Sequence, residues 1–169
     1  MALTLHRQIS NTIHGNMRPM GDASRFPHLG PRKRLHICLG APYDAALKDM
    51  HTGYINSSDL WYVRDRMDAG DLVVSIVATV PRMVIGLDLL ERDYDPRRDQ
   101  SMRCVAATAV VFDQGILVPA VVKRCGWLSP LPEEGYIAGR RARSFLHQLE
   151  AEAQLNIPWF TPRRWRDLQ

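Results

Sequence analysis

The sequence predicts an α+β domain built on a small, curled and mostly antiparallel β-barrel with flanking helices. Three observations predict this class. The chain has 169 residues, of which 46% are apolar and 24% charged, the size and composition of one globular domain. Short runs rich in valine and isoleucine follow one another with brief turns between them, which favours antiparallel pairing. Other segments repeat apolar residues every three or four positions, which is typical of helices that pack on a sheet.

The first predicted elements are a strand and two helices. Residues 35–39 form a short β-prone run that ends at a glycine, so we expect a strand there. Residues 42–50 begin with proline and continue with good helix formers, which predicts a short helix. Residues 57–66 begin with Ser-Ser-Asp, which can cap a second helix, and their apolar positions would share one face.

Two strands and a loop are expected next. Residues 72–80 are apolar almost without interruption between a Gly-Asp turn and a proline, which is typical of a strand buried on both faces. Residues 83–90 are predicted to be the following strand. Residues 91–100 carry adjacent charges of both signs and are predicted to form a loop.

A hairpin and a long helix complete the prediction. Residues 104–112 and 116–124 flank an Asp-Gln-Gly turn at 113–115, which is a strong hairpin signal. Residues 139–156 place alanine, phenylalanine and leucine on one helical face, and Pro158 ends that helix.

The net charge of +4 is unevenly distributed. Residues 1–34 contain six basic residues and one acid, and we expect a basic, loosely ordered arm. Residues 35–157 are predicted to form the folded domain. Residues 158–169 mix tryptophan with arginine and are expected to be a basic aromatic tail. Basic ends around an acidic middle are typical of proteins that contact phosphates, although they also occur as solvated tails.

The sequence contains no motif for catalysis or for a metal. It has no phosphate-binding glycine loop, no dinucleotide fingerprint, no hydrolase elbow and no zinc-protease motif. Three scattered cysteines have neither disulfide nor metal spacing, which favours reduced cysteines and a cytoplasmic location. No apolar run is long enough to cross a membrane. We therefore expect no catalytic residue, metal or cofactor, and an enzyme that uses Asp88, Asp113 or a cysteine has no supporting spacing.

Clusters of cations are the strongest functional signal. Long cationic side chains grouped in this way contact phosphates without reading sequence. The C-terminal cluster, which contains Arg163 and Arg164, also includes aromatic residues, and these suit stacking on bases. A solvated surface is the alternative interpretation of each. The candidate nucleic-acid-binding residues are Arg32, Lys33, Arg34, Arg140, Arg141, Arg143, Arg163 and Arg164.

Three stretches in the middle of the chain, at 38–42, 62–73 and 83–90, resemble the PUA-like superfamily and, within it, the EVE domain, a relative of YTH and ASCH domains. The resemblance implies that residues 35–157 form a PUA/EVE-like domain. Cys-Leu-Gly-Ala-Pro at 38–42 stands where EVE domains end their first strand in a turn. Residues 62–73 are similar to the basic helix, Met-x-x-Gly-Asp turn and strand of that family. Residues 83–90 resemble its next strand, which has a central glycine.

The resemblance implies a reader of modified nucleobases in DNA or RNA. Such domains take a base out of its stack and hold it between aromatic faces, while polar groups read its edge. Trp61 and Trp127 can each be a pocket wall or a core residue. The candidate ligand-binding residues are Gly40, Pro42, Asn56, Ser57, Trp61, Ser75 and Trp127.

A second function remains open from the sequence. The basic, tryptophan-containing ends can instead dock on a partner protein, so that the chain acts as an adaptor subunit of a larger complex. Nucleic-acid binding predicts an affinity that falls steeply with salt. The adaptor function predicts that complex formation depends on residues 1–30 or 158–169.

Overall fold

The structure is a computed structural model of the protein. It describes residues 26–40, 63–78, 80–99, 102–156 and 159–160. Every structural statement below concerns these residues.

The described residues form one mixed sheet with two α-helices. The strands pair in the order β5-β1-β2-β3-β4-β6. β1 and β2 are parallel, and every other neighbouring pair is antiparallel. The strands are β1 (Arg34–Gly40), β2 (Leu72–Val77), β3 (Met83–Leu90), β4 (Ala106–Leu117), β5 (Tyr136–Ala138) and β6 (Trp159–Phe160), and the helices are α1 (Val118–Arg124) and α2 (Gly139–Asn156).

The predicted α+β class and the predominance of antiparallel pairs are confirmed. The sheet of the described residues is not closed into a barrel, because β5 and β6 lie at opposite ends of its strand order and do not pair with each other. The strand at 35–39, the strands at 72–80 and 83–90 and the helix at 139–156 are found close to their predicted bounds.

Burial of both faces of β2 organises the core. All six of its residues are buried, as the apolar run predicts. Alternate side chains of a strand point to opposite faces, so Leu72, Val74 and Ile76 belong to one apolar cluster and Val73 and Val77 to another. The first cluster lies against α2, which contributes Ala142, Phe145, Leu146, Leu149 and Ala153. The second, on the opposite face, includes Val63, Met67, Ile85, Tyr94 and Val111.

The predicted hairpin at 104–124 is wrong. β4 is one strand with a bulge, since Val84 pairs with Ile116 while Gly86 pairs with Val111. The extra residues on β4 include Gly115, which adopts φ 69°. The strand then gives way to α1, because proline at position 119 cannot donate to a strand ladder but fits the first turn of a helix.

The predicted helix at 57–66 is wrong over its described end. The carbonyl of Val63 would accept the amide of Met67 in a helix. Instead it accepts the Tyr94 hydroxyl at 3.1 Å, and the Met67 amide donates to the Tyr94 carbonyl at 3.1 Å. Pairing with a distant segment therefore replaces local helix formation. Residues 57–62 and the predicted helix at 42–50 lie outside the described residues.

Two segments expected to be an arm and a tail contribute to the fold where they are described. Phe26 is buried, and its ring lies 6.2 Å from that of Phe112. Trp159–Phe160 pairs with Val111 and Phe112 as β6. The folded part of the chain thus begins before β1 and continues after α2.

Candidate nucleic-acid interface

The pairing of β1 with β5 brings two basic clusters to one edge of the sheet. Arg34 and Ala138 are backbone partners, and α2 begins at the next residue, Gly139. The cations that precede and begin β1 therefore lie close to those that begin α2, although the clusters are far apart in sequence. We call this region the basic edge, and it comprises Arg32, Lys33, Arg34, Tyr136, Arg140, Arg141 and Arg143.

Tyr136 is the exposed aromatic residue of the basic edge. Its side chain is 47% exposed, and the Arg34 guanidinium lies over its ring, 4.5 Å from the centroid. The imidazole of His36, its backbone partner, lies 5.6 Å away. A half-exposed ring beside a cation suits stacking of a flat ligand. The sequence analysis missed Tyr136, because a three-residue strand gives almost no periodic signal.

A tight turn positions the cations ahead of β1. The amide of Lys33 donates to the carbonyl of Gly30 at 3.2 Å, and Arg32 adopts φ 63° with its side chain exposed. The Lys33 side chain lies over Gly70, where an added Cβ would stand 3.3 Å from the lysine Cε. Gly70 has φ 84°, so glycine both permits the turn and leaves room for the lysine.

Arg141 has a structural role within the basic edge. Its guanidinium lies 4.5 Å from the centroid of the Trp127 ring and donates to Ser129 Oγ at 3.2 Å and to the Pro130 carbonyl at 3.0 Å. Trp127 is partly buried and stacks on Phe145, with the ring centroids 6.0 Å apart. A base that stacks on this tryptophan in place of the guanidinium would have to displace Arg141.

The two other arginines of α2 face solvent at its N-terminal end. Arg140 and Arg143 are exposed, and the first turn contains no acidic residue. The N-terminus of a helix is the positive end of its dipole, so an exposed cation in the first turn, such as Arg140, costs about 0.3–1 kcal/mol, and Arg143 at the start of the second turn costs less. The same end attracts anions through its free backbone N–H groups. This charge arrangement disfavours the free helix and favours an anionic ligand.

The cations of the basic edge are not engaged in ion pairs within the described residues. Within the described part of the chain, none of its six cations forms an ion pair with a carboxylate. Elsewhere, Arg66 pairs with Asp95 at 2.8 Å, Arg82 pairs with Glu133 at 2.6 Å, and other arginines are similarly paired. The guanidinium and ammonium groups of the edge are therefore available to an anionic ligand, although one carboxylate is close by: Asp65 Oδ2 lies 4.0 Å from the position that a Cβ on Gly135 would take.

A buried polar group lies beside the basic edge. The His36 Nε2 atom is 2.9 Å from Asp71 Oδ2. Asp71 also accepts the amides of Arg34 at 2.9 Å and Asp68 at 3.1 Å. Burial lowers the pKa of His36, and the hydrogen bond that the imidazole donates to Asp71 opposes that shift. A neutral imidazole bonded to a carboxylate must donate through Nε2, so the His36 Nδ1 atom is an acceptor.

Among the described residues, three buried side-chain polar atoms have no hydrogen-bond partner. They are His36 Nδ1, Ser75 Oγ and Asp88 Oδ2, and we call these three side chains the polar strip. His36 pairs with Val73, and Val73 pairs with Asp88, so the histidine and the carboxylate occupy one row across β1, β2 and β3. Each unsatisfied buried group costs about 1–3 kcal/mol. Such a set requires an explanation in a marginally stable domain.

Of the remaining predicted site residues, two lie within the described part of the chain and six lie outside it. Gly40 ends β1, where its carbonyl accepts the amide of Ala78 at 3.1 Å. Ser75 is fully buried in the polar strip. Six of the predicted site residues lie outside the described residues: Pro42, Asn56, Ser57, Trp61, Arg163 and Arg164.

Three further features bear on the chemistry. Among the described side chains, no group of three or more histidine, cysteine, aspartate or glutamate residues comes together as a metal site. None of the described helices is long and apolar enough to cross a membrane. Cys125 lies just after α1 and not in a strand as expected, and burial raises the pKa of its thiol.

Comparison of the chain with protein-family models, with curated proteins and with solved structures finds no match. The site's own residues therefore carry the functional argument.

Proposed function

We propose that the basic edge binds nucleic acid. The observation that carries this proposal is that the pairing of β1 with β5 brings six cations, none of them in an ion pair within the described residues, to the same edge of the sheet as the half-exposed ring of Tyr136. Three of the cations precede or begin β1, and the other three lie in the first five residues of α2, where their charge opposes the helix dipole. A polyanionic ligand would compensate for that arrangement.

Each part of the edge has a distinct role in this proposal. Arg32, Lys33, Arg140 and Arg143 contact phosphates, which adds affinity without sequence selectivity. Tyr136 stacks on an unpaired base, an interaction worth about 1–3 kcal/mol in proteins that bind single strands. An interface that combines phosphate contacts with stacking on an unpaired base favours single-stranded or locally opened DNA or RNA over a fully paired duplex.

Recognition of a modified base is the finer part of the proposal. It follows from the resemblance to PUA-like EVE domains, which also implies a closed barrel. β5 and β6 do not pair in the described residues. Nucleic-acid binding does not depend on barrel closure, because the charges and the exposed ring lie on β1, β5 and α2.

Fluorescence anisotropy with labelled single-stranded DNA and RNA tests the proposal. We expect binding whose affinity falls by orders of magnitude between about 50 and 200 mM salt, as for proteins with several phosphate contacts. The variant Arg34→Gln/Arg140→Gln/Arg143→Gln is expected to bind much more weakly. Absence of binding to either polymer, or an affinity that salt does not change, would reject the proposal.

A matched control separates local contacts from net charge. Arg97 and Lys123 are exposed and lie outside the basic edge. We expect Arg97→Gln/Lys123→Gln to reduce affinity only slightly. Equal losses from an edge pair, Arg140→Gln/Arg143→Gln, and this control pair would show that net charge alone drives binding.

A further inference from the structure

Asp65 is an exposed carboxylate close to the aromatic residue of the basic edge. It lies between Val63 and Met67, which are buried in the second apolar cluster, while its own side chain is exposed. Within the described residues it forms no hydrogen bond or ion pair, and its neighbour Arg66 pairs with Asp95 instead, at 2.8 Å. The two oxygens of Asp65 are therefore available to a ligand.

The start of β5 connects this carboxylate to Tyr136. The carbonyl of Gly135 accepts the amide of Ile37 at 2.9 Å, which holds the start of β5 against β1. The Asp65 Oδ2 atom lies 4.0 Å from the position that a Cβ on Gly135 would take. Since residue 135 has no side chain, the carboxylate lies close to the backbone that leads into Tyr136.

Asp65 and Tyr136 also lie on the same face of the sheet. Tyr136 is the backbone partner of His36, and directly opposed residues of paired strands point to the same face. His36 is in turn the partner of Val73, which belongs to the second apolar cluster. The buried residues on either side of Asp65 belong to that cluster as well. A base stacked on the exposed part of the Tyr136 ring therefore has a carboxylate near its edge.

A carboxylate at this position favours a ligand group that donates hydrogen bonds. It repels phosphate, so it contributes nothing to the hold on the backbone of a strand. Its two oxygens only accept hydrogen bonds, and a carboxylate is best matched by two parallel N–H donors. Unpaired bases expose their Watson–Crick edges to contacts of this kind.

Guanine is the common base that meets this requirement. Its Watson–Crick edge carries two adjacent donors, the N1–H and the N2 amino group. Thymine and uracil present one N–H between two carbonyl oxygens, which a carboxylate repels. Adenine and cytosine present one amino group beside a ring nitrogen that accepts. The carboxylate therefore discriminates in favour of guanine.

We propose that Asp65 gives the basic edge a preference for unpaired guanine. The base stacks on Tyr136, its N1–H and N2 amino group donate to the two oxygens of Asp65, and the cations hold the neighbouring phosphates. The inference rests on the proposed binding of nucleic acid and adds the base that is selected. Asp65 is thus a specificity-determining residue, because the cations supply affinity and this carboxylate supplies selectivity.

Fluorescence anisotropy with labelled pentanucleotides tests the preference. Each DNA strand has two thymidines on either side of a central guanine, hypoxanthine, adenine, cytosine or thymine, and a second set places the same central bases among uridines in RNA. Hypoxanthine keeps the N1–H but lacks the amino group, so it isolates one of the two contacts. We expect guanine to bind roughly tenfold more tightly than thymine, with hypoxanthine between them, as for a bidentate contact to a base edge. Equal affinities for guanine, hypoxanthine and thymine in both sets would overturn the inference.

Two matched variants assign the preference to Asp65. Asp65→Asn replaces one accepting oxygen by an amino group that donates, and we expect it to abolish the preference while the affinity for the thymine strand stays the same or rises. Asp68→Asn makes the same change of charge at another exposed residue of this segment and should keep the preference. A preference that survives Asp65→Asn, or that Asp68→Asn removes equally, would overturn the assignment.

The outcomes separate this inference from the proposed interface. Salt-dependent binding of all strands with equal affinity would keep the interface and reject the selection of guanine. Binding of none of the strands would reject both. An equal gain in affinity for every strand in Asp65→Asn would show that the carboxylate acts only by repelling phosphate, and would reject the selection. The comparison of guanine with hypoxanthine uses the unchanged protein, so it decides the question even if a variant does not fold.

Discussion

Replacement of Arg140 and Arg143 by glutamine is expected to stabilise the free protein and to weaken its binding of nucleic acid. Both side chains are exposed at the N-terminal end of α2, and the first turn has no acid to offset them. Removal of the Arg140 charge from the positive end of the helix dipole should add about 0.3–1 kcal/mol to the free energy of unfolding. Arg143 begins the second turn and should add less.

These values can be measured directly. A gain of about 0.3–1 kcal/mol corresponds to a rise in melting temperature of about 1–4 °C for a chain of this size. Each lost phosphate contact lowers the slope of log affinity against log salt by about 0.7 for a single strand. The double variant should therefore reduce that slope by about 1.4, measured by anisotropy across a salt series.

The control has the opposite expected effect on stability. Lys123 lies in the last turn of α1, where a cation stabilises the helix. The variant Lys123→Gln should be slightly less stable and should bind nucleic acid with nearly the same salt slope. The reasoning is refuted if Arg140→Gln/Arg143→Gln loses stability, or if it keeps the original affinity and slope.

Three further outcomes follow from the geometry. Tyr136→Phe should bind single strands normally, whereas Tyr136→Ser should lose about 1–3 kcal/mol of binding, and equal affinities in the two variants would argue against stacking. Because burial holds the pKa of His36 below its ordinary value of 6.5, the unfolded chain takes up the proton first, and the free energy of unfolding should fall as pH drops through and below about 6.5. The charged groups that act on this histidine are Asp71 and Asp65, which raise its pKa, and Arg34, which lowers it. In urea titrations, the free energy of unfolding of His36→Gln should depend less on pH, and an unchanged dependence would contradict the prediction. Gly70→Ala should destabilise the protein by roughly 1–2 kcal/mol because φ is 84° there, and a neutral effect in the same titrations would count against that strain.

Periodic and strongly apolar segments were predictable from the sequence. β2 and β3 are rich in valine, isoleucine and leucine, and α2 repeats its apolar residues at helical spacing. In these segments the local preference of the chain agrees with its final packing. The cations of the basic edge were also recognisable, because grouped charges are visible without a structure.

Features that depend on distant partners were not predictable. The Asp-Gln-Gly sequence at 113–115 has the chemistry of a hairpin turn, but β3 pairs with the chain on both sides of it and makes it a bulge. Residues 63–66 are not helical, because Tyr94 bonds to the Val63 carbonyl and the Met67 amide that a helix would join. The short strand β5 forms by pairing with β1. The polar strip depends on the register of three strands, which no local pattern contains.

Photochemical crosslinking tests most directly whether nucleic acid binds at the basic edge. A single-stranded oligonucleotide that carries 5-iodouracil is irradiated with the protein, and the attached peptide is identified by mass spectrometry. The account predicts crosslinks to the peptide that contains Tyr136, with a yield that falls in Arg34→Gln/Arg140→Gln/Arg143→Gln. Crosslinks confined to other surfaces, such as the loop at 91–99, with undiminished yield in the triple variant, would contradict it.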